Sequence, residues 1–213
     1  MLRDDHGGFQ CPDWDEDKAI LLEHNPFAGL PYIVDAETVV ATAPASSDFL
    51  ANKLGLAGSC ESQRSRNQQA LAVVYELRAD AARVLYAPVE VYEHGHRGYL
   101  ERTAHRHYAK LDRWLDMHKT VYLTSDEPAS ADFELWELLD MHELWANETG
   151  CKRPLAGFAR LSALYQGLRA LPQLQAYFES ASFLLPYNNK MAHFVETGSS
   201  WRNPKESTAH VWS

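Results

Sequence analysis

From Ser62 to Tyr86, apolar residues Ala70, Val73, Val74, Leu77, Ala81, Val84 and Leu85 recur at steps of three and four. That is the spacing of one face of an amphipathic helix, and Pro88 ends it. A second such stripe, Ala104, Tyr108, Leu111, Leu115, His118 and Tyr122, predicts a helix from about Gly98 to Tyr122, broken by Pro128. A third helix is expected from Ser130 or Asp132, either of which can cap its N-terminus, to near Gly150, carrying Phe133, Trp136, Leu139 and Trp145. A fourth is expected over Leu155 to Leu168, and a fifth after Leu171-Pro172 with Leu174, Tyr177 and Phe178 facing inward. Upstream the pattern changes. Tyr32 to Val34 and Thr38 to Ala41 are two short β-like runs at hairpin spacing, followed by a short helix from about Ala45 to Leu54 that Gly55 ends. The first thirty residues are polar and punctuated by Gly7-Gly8, Cys11-Pro12 and Asn25-Pro26, so an irregular segment with a helical turn or two around Asp15 to Glu23 is expected.

Composition changes this picture little. Of 213 residues, 46% are hydrophobic and 23% charged, enough apolar material for one sizeable core or two small ones. Twenty Lys and Arg stand against 29 Asp and Glu, a net charge of −9 that argues against a nucleic-acid partner. No apolar run approaches the roughly 20 residues that span a bilayer, so an integral membrane protein is not expected. Met1 to Gly8 lacks a signal peptide's apolar core. Cys11, Cys60 and Cys151 are too far apart for a zinc knuckle and odd in number. They fit a reducing intracellular compartment, the cytoplasm by default, or an organelle such as the mitochondrion with the protein as a peripheral subunit. His94-x-His96 and His105-x-His107 suggest a metal only superficially, because i and i+2 do not share a helical face, and no metal site is expected. Cys11 has no neighbouring base or helix start to activate it.

A remnant of strands followed by five or six helices, joined at an apolar-proline turn, resembles the cytosolic glutathione transferases, most closely the mu class. The similarity covers roughly Pro12 to Phe194. Trp14 and Lys18 match the Trp-x-x-x-Lys pair that holds the glycine carboxylate of glutathione, and Phe27-Ala-Gly-Leu-Pro-Tyr-Ile-Val-Asp35 is similar to the family's Phe-Pro-Asn-Leu-Pro-Tyr-Leu-Ile-Asp. The resemblance places Leu30-Pro31 at the family's cis-proline bond and Phe27 at the aromatic knob that enters a neighbouring subunit. Tyr86-Ala-Pro88 matches the helix end where a tyrosine faces the electrophile, Glu76 the acid that reaches across a dimer, and Asp132-Phe133 the aspartate of a buried capping motif. Tyr187 to Phe194, with Asn188-Asn189-Lys190-Met191-Ala192, is similar to the closing segment of some members.

The departures bear on activity. The family's first strand ends in the tyrosine, serine or cysteine that stabilises the glutathione thiolate, whereas here the first tyrosine is Tyr32, inside the family's third strand. A thiol near pKa 8.5 is only a few per cent ionised at neutral pH without such a donor. The Gln-Ser pair that grips the γ-glutamyl end corresponds to Thr42-Ala43, and the family asparagine is Gly29. The capping threonine before Asp132 is Ala129, a loss of about 1 kcal/mol unless Ser130 replaces it. Losing the first strand also bares one edge of the Tyr32 strand, which the N-terminal segment or a partner polypeptide is expected to cover.

The expected architecture is therefore mostly α. A truncated thioredoxin-like remnant, hairpin plus helix, fills 1–56, a glutathione-transferase-like helical domain fills 57–194, and a polar tail, 195–213, bears Trp201 and Trp212. Two functions follow. The first is a non-catalytic accessory subunit of a larger protein assembly, with Phe27, Tyr32, Trp201 and Trp212 at interfaces and no cofactor. The second is a divergent mu-like transferase, a homodimer that conjugates glutathione to electrophiles with Tyr86 assisting and Trp14, Lys18, Leu30 and Glu76 as vestigial glutathione contacts.

Overall fold

The computed structural model describes Leu2–Arg3, residues 9–189 and Met191–Phe194. The chain divides into two compact units between Ala57 and Gly58.

In the first unit a two-stranded ribbon, β1 (Leu2–Arg3) with β2 (Phe9–Gln10), precedes α1 (Pro12–His24). The expected irregular segment is in fact this 13-residue helix. Pro12 sits in its first turn, Asp13 and Asp15 complement the positive end of its dipole, and His24 lies in the last turn. Only Leu21 is buried, so no apolar stripe announces it. The strands β3 (Tyr32–Asp35) and β4 (Thr38–Ala41) pair antiparallel, Tyr32 opposite Ala41, through a two-residue turn whose Ala36 has φ 52°. The helix α2 (Ala43–Leu54) packs on them and ends at Gly55, where φ of 72° favours a residue without a Cβ. Among the described residues no strand pairs with the other edge of β3. Side chains of α1 reach that strand, Trp14 stacking on the Tyr32 ring at 5.9 Å. The expectation that the N-terminal segment covers the edge is not met by the described strands: β1 and β2 pair with each other.

The second unit is helical and holds the main core. Its first helix, α3 (Glu61–Leu85), buries Ala70, Leu71, Val74, Leu77, Ala81 and Leu85, close to the predicted face. The next helix starts nine residues earlier than the apolar stripe suggests. Pro88 precedes α4 (Val89–Gly98), which passes through a wider π turn at Tyr99–Ala104 into α5 (His105–His118) without a break. It stops short of the expected Tyr122 because Lys119 turns left-handed at φ 56°. The central α6 (Ser130–Glu148) buries twelve residues. The fourth predicted helix loses its first turn to a loop at Gly157, φ 94°, and becomes α7 (Ala159–Arg169). In place of a fifth long helix there is a 3₁₀ turn at Pro172–Leu174, the single-turn α8 (Gln175–Phe178) and a second 3₁₀ turn at Ala181–Leu184. Of its predicted core face only Phe178 is buried. No helix of the described residues is long and apolar enough to cross a membrane.

Because Ser130, Ala131 and Asp132 at the start of α6 are buried, the N–H groups of its first turn need acceptors inside the protein. The carboxylate of Asp132, fully buried, accepts from the backbone N–H of Ala129 at 2.9 Å and of Leu123 at 2.8 Å. Burial pushes this carboxyl up to about 7, against the pull of the backbone donors. The role left open by Ala129 is filled not by Ser130 but from α3. The Oδ1 of Asn67 accepts from the N–H of Ala131 at 3.1 Å, and its Nδ2 donates to Ser130 Oγ at 2.9 Å. Further along α6, Arg78 donates to Glu134 at 3.1 Å and Glu137 at 2.9 Å, tying the same two helices. Deeper still, His142 lies wholly buried between two tyrosines. The hydroxyl of Tyr99 donates to the Leu77 carbonyl at 3.3 Å, so it accepts from His142 Nε2–H at 3.0 Å, and Tyr108 donates to Nδ1 at 2.7 Å. That assignment satisfies every group with a neutral imidazole, and burial lowers the imidazole pKa to about 3.

Two outcomes are expected. Asn67→Ala orphans the Ala131 N–H and lowers the unfolding free energy by about 1–3 kcal/mol in urea denaturation; a loss below about 0.5 kcal/mol would show that Asn67 is not the cap. For His142 the folded pKa lies below the unfolded value of 6.5, so its contribution is fully present above pH 6.5. It is lost as pH falls toward about 3, at up to about 1.4 kcal/mol per pH unit, and NMR titration should show His142 neutral for as long as the fold survives.

Candidate functional site

In α1 Trp14 and Lys18 stand four residues apart and so share a face. Trp14 is half-buried against Tyr32, while Lys18 is exposed and forms none of the ion pairs among the described residues. Tyr32 also reaches Asp17 through a long 3.5 Å hydrogen bond from its hydroxyl. After α1, Asn25 shapes the loop that follows. Its Nδ2 donates to the Val39 carbonyl of β4 at 2.9 Å, and its Oδ1 accepts from the Phe27 N–H at 2.9 Å. The loop delivers two bare apolar side chains, Phe27 at 78% and Leu30 at 67% exposure, and the Leu30–Pro31 peptide is cis.

The remaining predicted residues lie on α3 of the second unit. Glu76 is exposed at mid-helix, and Tyr86, ten residues on, caps the C-terminus, about 15 Å further along the axis. The two therefore serve different places on the helix. Tyr86 is 42% exposed and so is not part of the core. Its N–H donates to Ala82 at 3.0 Å and that of Ala87 to Val84 at 3.3 Å, so the helix closes normally on the donor side. The carbonyls of this last turn are a harder problem, since Pro88 has no N–H to return to them. The residue that solves it is His193, which the sequence reading missed. Its backbone N–H donates to the Leu85 carbonyl at 2.9 Å and its Nε2 to the Ala87 carbonyl at 2.6 Å. No spacing in the sequence links positions 106 residues apart; the one signal was its place in the Tyr187 to Phe194 segment.

The histidine pairs have separate partners. His94 and His96 bond the carbonyls one turn earlier, Glu90 at 2.6 Å and Tyr92 at 3.0 Å, whereas His107 bonds Asp80 at 3.0 Å and His105 packs on Phe158. Among the described residues no cluster of His, Cys, Asp or Glu could hold a metal ion. Cys11, Cys60 and Cys151 are all free thiols, and contrary to expectation a helix start does lie beside Cys11, which is the N-cap of α1. Trp201 and Trp212 lie outside the described residues.

Comparison with known proteins places the fold in a family. The family model for the C-terminal domain of glutathione S-transferase matches residues 75–181. A class-mu 26 kDa glutathione S-transferase isozyme of Fasciola hepatica is 29% identical over 167 residues, covering 78% of this chain and 71% of that protein. Glutathione S-transferase 2 of Gallus gallus is 27% identical over 199 residues, covering 93% and 82%. Among solved structures, the glutathione S-transferase Blo t 8 superposes with a TM-score of 0.74 at 22% identity, covering 86% of this chain and 82% of that one. The chain belongs to the glutathione S-transferase superfamily, close to its mu class.

Proposed function

We propose that this protein is a divergent transferase that joins the thiol of glutathione to an apolar electrophile. The observation that carries the reading is Tyr86, a tyrosine half-open to solvent at the end of α3 in a chain whose relatives are named glutathione S-transferases. In the reaction the thiolate attacks the electrophilic carbon, the new C–S bond forms, and the leaving group departs with its electron pair or the anion of an addition product takes a proton. The Tyr86 hydroxyl donates to that developing negative charge. Lys18, exposed and unpaired among the described ion pairs, is the cation for a glutathione carboxylate, and Trp14 beside it supplies an apolar wall fixed by Tyr32.

Thiol activation is where this chain departs from its relatives. With no residue matching the family's thiolate-stabilising tyrosine, the cosubstrate ionises near its ordinary pKa of about 8.5, and turnover follows the thiolate fraction. A second reading, an accessory subunit of a larger assembly, is favoured by one specific observation. The first unit exposes Ile20, Phe27, Leu30 and Leu54 and holds a hairpin neither of whose outer edges pairs with another described strand.

The test is a conjugation assay of the whole chain with glutathione and chlorodinitrobenzene. The rate is expected to climb with pH toward about 8.5 instead of levelling near neutrality. Tyr86→Phe should lower kcat roughly tenfold or more, and Lys18→Ala should raise the glutathione KM by about tenfold. A rate no faster than the uncatalysed reaction, together with migration of the native protein in a particle much larger than a dimer, would instead establish the accessory-subunit reading.

A further inference from the structure

The C-terminal segment offers a contact that neither the family match nor the transferase reading assigns. Leu85 and Ala87, the two neighbours of Tyr86, both give up their carbonyls to one residue, His193. Tyr86 itself has φ −109° and ψ 12°, outside the helical well, so its helix neighbours do not fix its direction by themselves. The residue that holds them is firmly placed. The imidazole of His193 stacks on Tyr92 at 4.6 Å, and the Tyr92 hydroxyl accepts from Trp145 Nε1 at 3.0 Å. On either side of His193, Ala192 and Phe194 are buried, Phe194 against Trp145 at 6.2 Å. The segment is also tied to itself, since Asn188 Nδ2 donates to the Phe194 carbonyl at 3.1 Å and the Ala192 N–H to the Asn189 carbonyl at 3.1 Å.

We propose that His193 is a positioning residue for Tyr86: by binding the carbonyls on both sides of it, His193 fixes the turn from which the Tyr86 hydroxyl is presented to the electrophile. This rests on the transferase reading for the role of Tyr86, but the hold on the turn is a property of the second unit alone. A side-chain N–H is what the Ala87 carbonyl requires, so a glutamine, which carries such a donor on a side chain of similar length, can serve where alanine cannot.

The experiment compares the full-length wild type, His193→Ala, His193→Gln and Tyr86→Phe by amide hydrogen exchange and by conjugation of chlorodinitrobenzene. In His193→Ala, exchange at Tyr86 and Ala87 is expected to speed up by about tenfold or more, the fold-change for one lost hydrogen bond to a constrained turn. kcat should fall by about the same factor, with the glutathione KM unchanged, and His193→Gln should recover most of both. Unaltered exchange in His193→Ala overturns the proposal, whatever the activity. Faster exchange with kcat unchanged, in an enzyme that Tyr86→Phe does impair, overturns the positioning role. If Tyr86→Phe conjugates as well as wild type, the failure is that of the role given to Tyr86. The positioning role falls with it, while the exchange data still report whether His193 holds the turn.

Discussion

A helix whose first turn is buried cannot leave the N–H groups of that turn to water, and much of the second unit is arranged around that constraint on α6. Asp132 caps from within the helix and reaches Leu123, so the loop before α6 is drawn into the same polar knot. Asn67 caps from α3, and Arg78, eleven residues further along α3, pairs with Glu134 and Glu137 on α6. The packing of α3 against α6 is thus specified at two levels, and the apolar residues between fill the space those contacts define. Leaving a buried donor unpaired is costly, whereas an apolar contact is tolerant of small shifts, so the polar contacts set the register and the apolar ones supply the bulk of the burial.

Seen in these terms, what the sequence reveals and what it hides follow a pattern. The buried faces of α3 and α5 were legible because their residues recur with helical period, from Ala70 to Leu85 and from Ala104 to Leu115. The hairpin was legible from two β-like runs at the right interval. What escaped was structure with little apolar face. Only Leu21 is buried along α1, and α4 buries none of its residues, so neither gives a periodic signal. The segment after Leu171 failed in the opposite sense, since a proline and a few large apolar residues suggested a helix where single turns bury two aromatics, Phe178 and Phe183. The replacement of a lost threonine by Asn67 was not readable at all, because a cap donated from 64 residues away leaves no local trace.

The functional residues follow the same division. Trp14, Lys18, Phe27 and Tyr86 carried a family resemblance in their immediate neighbours, and the structure leaves Lys18, Phe27 and Tyr86 open to solvent, as the proposed roles require. His193 acts on the opposite end of the helical unit's sequence and became visible only with coordinates. The first unit combines a cation and an aromatic wall on α1 with a loop of exposed apolar side chains. The two proposed readings, a glutathione carboxylate at Lys18 and a protein partner at Phe27 and Leu30, thus draw on the same short stretch of chain.

The π turn at Tyr99–Ala104 has a consequence for how this family member can vary. A π turn accommodates one extra residue without breaking the helix, and one residue rotates everything beyond it by about 100°. The ten residues of α4 are thereby uncoupled in phase from the core-facing stripe of α5. The exposed residues Val89, Val91 and His94 of α4 can therefore vary while Tyr108, Leu111 and Leu115 keep their places in the core.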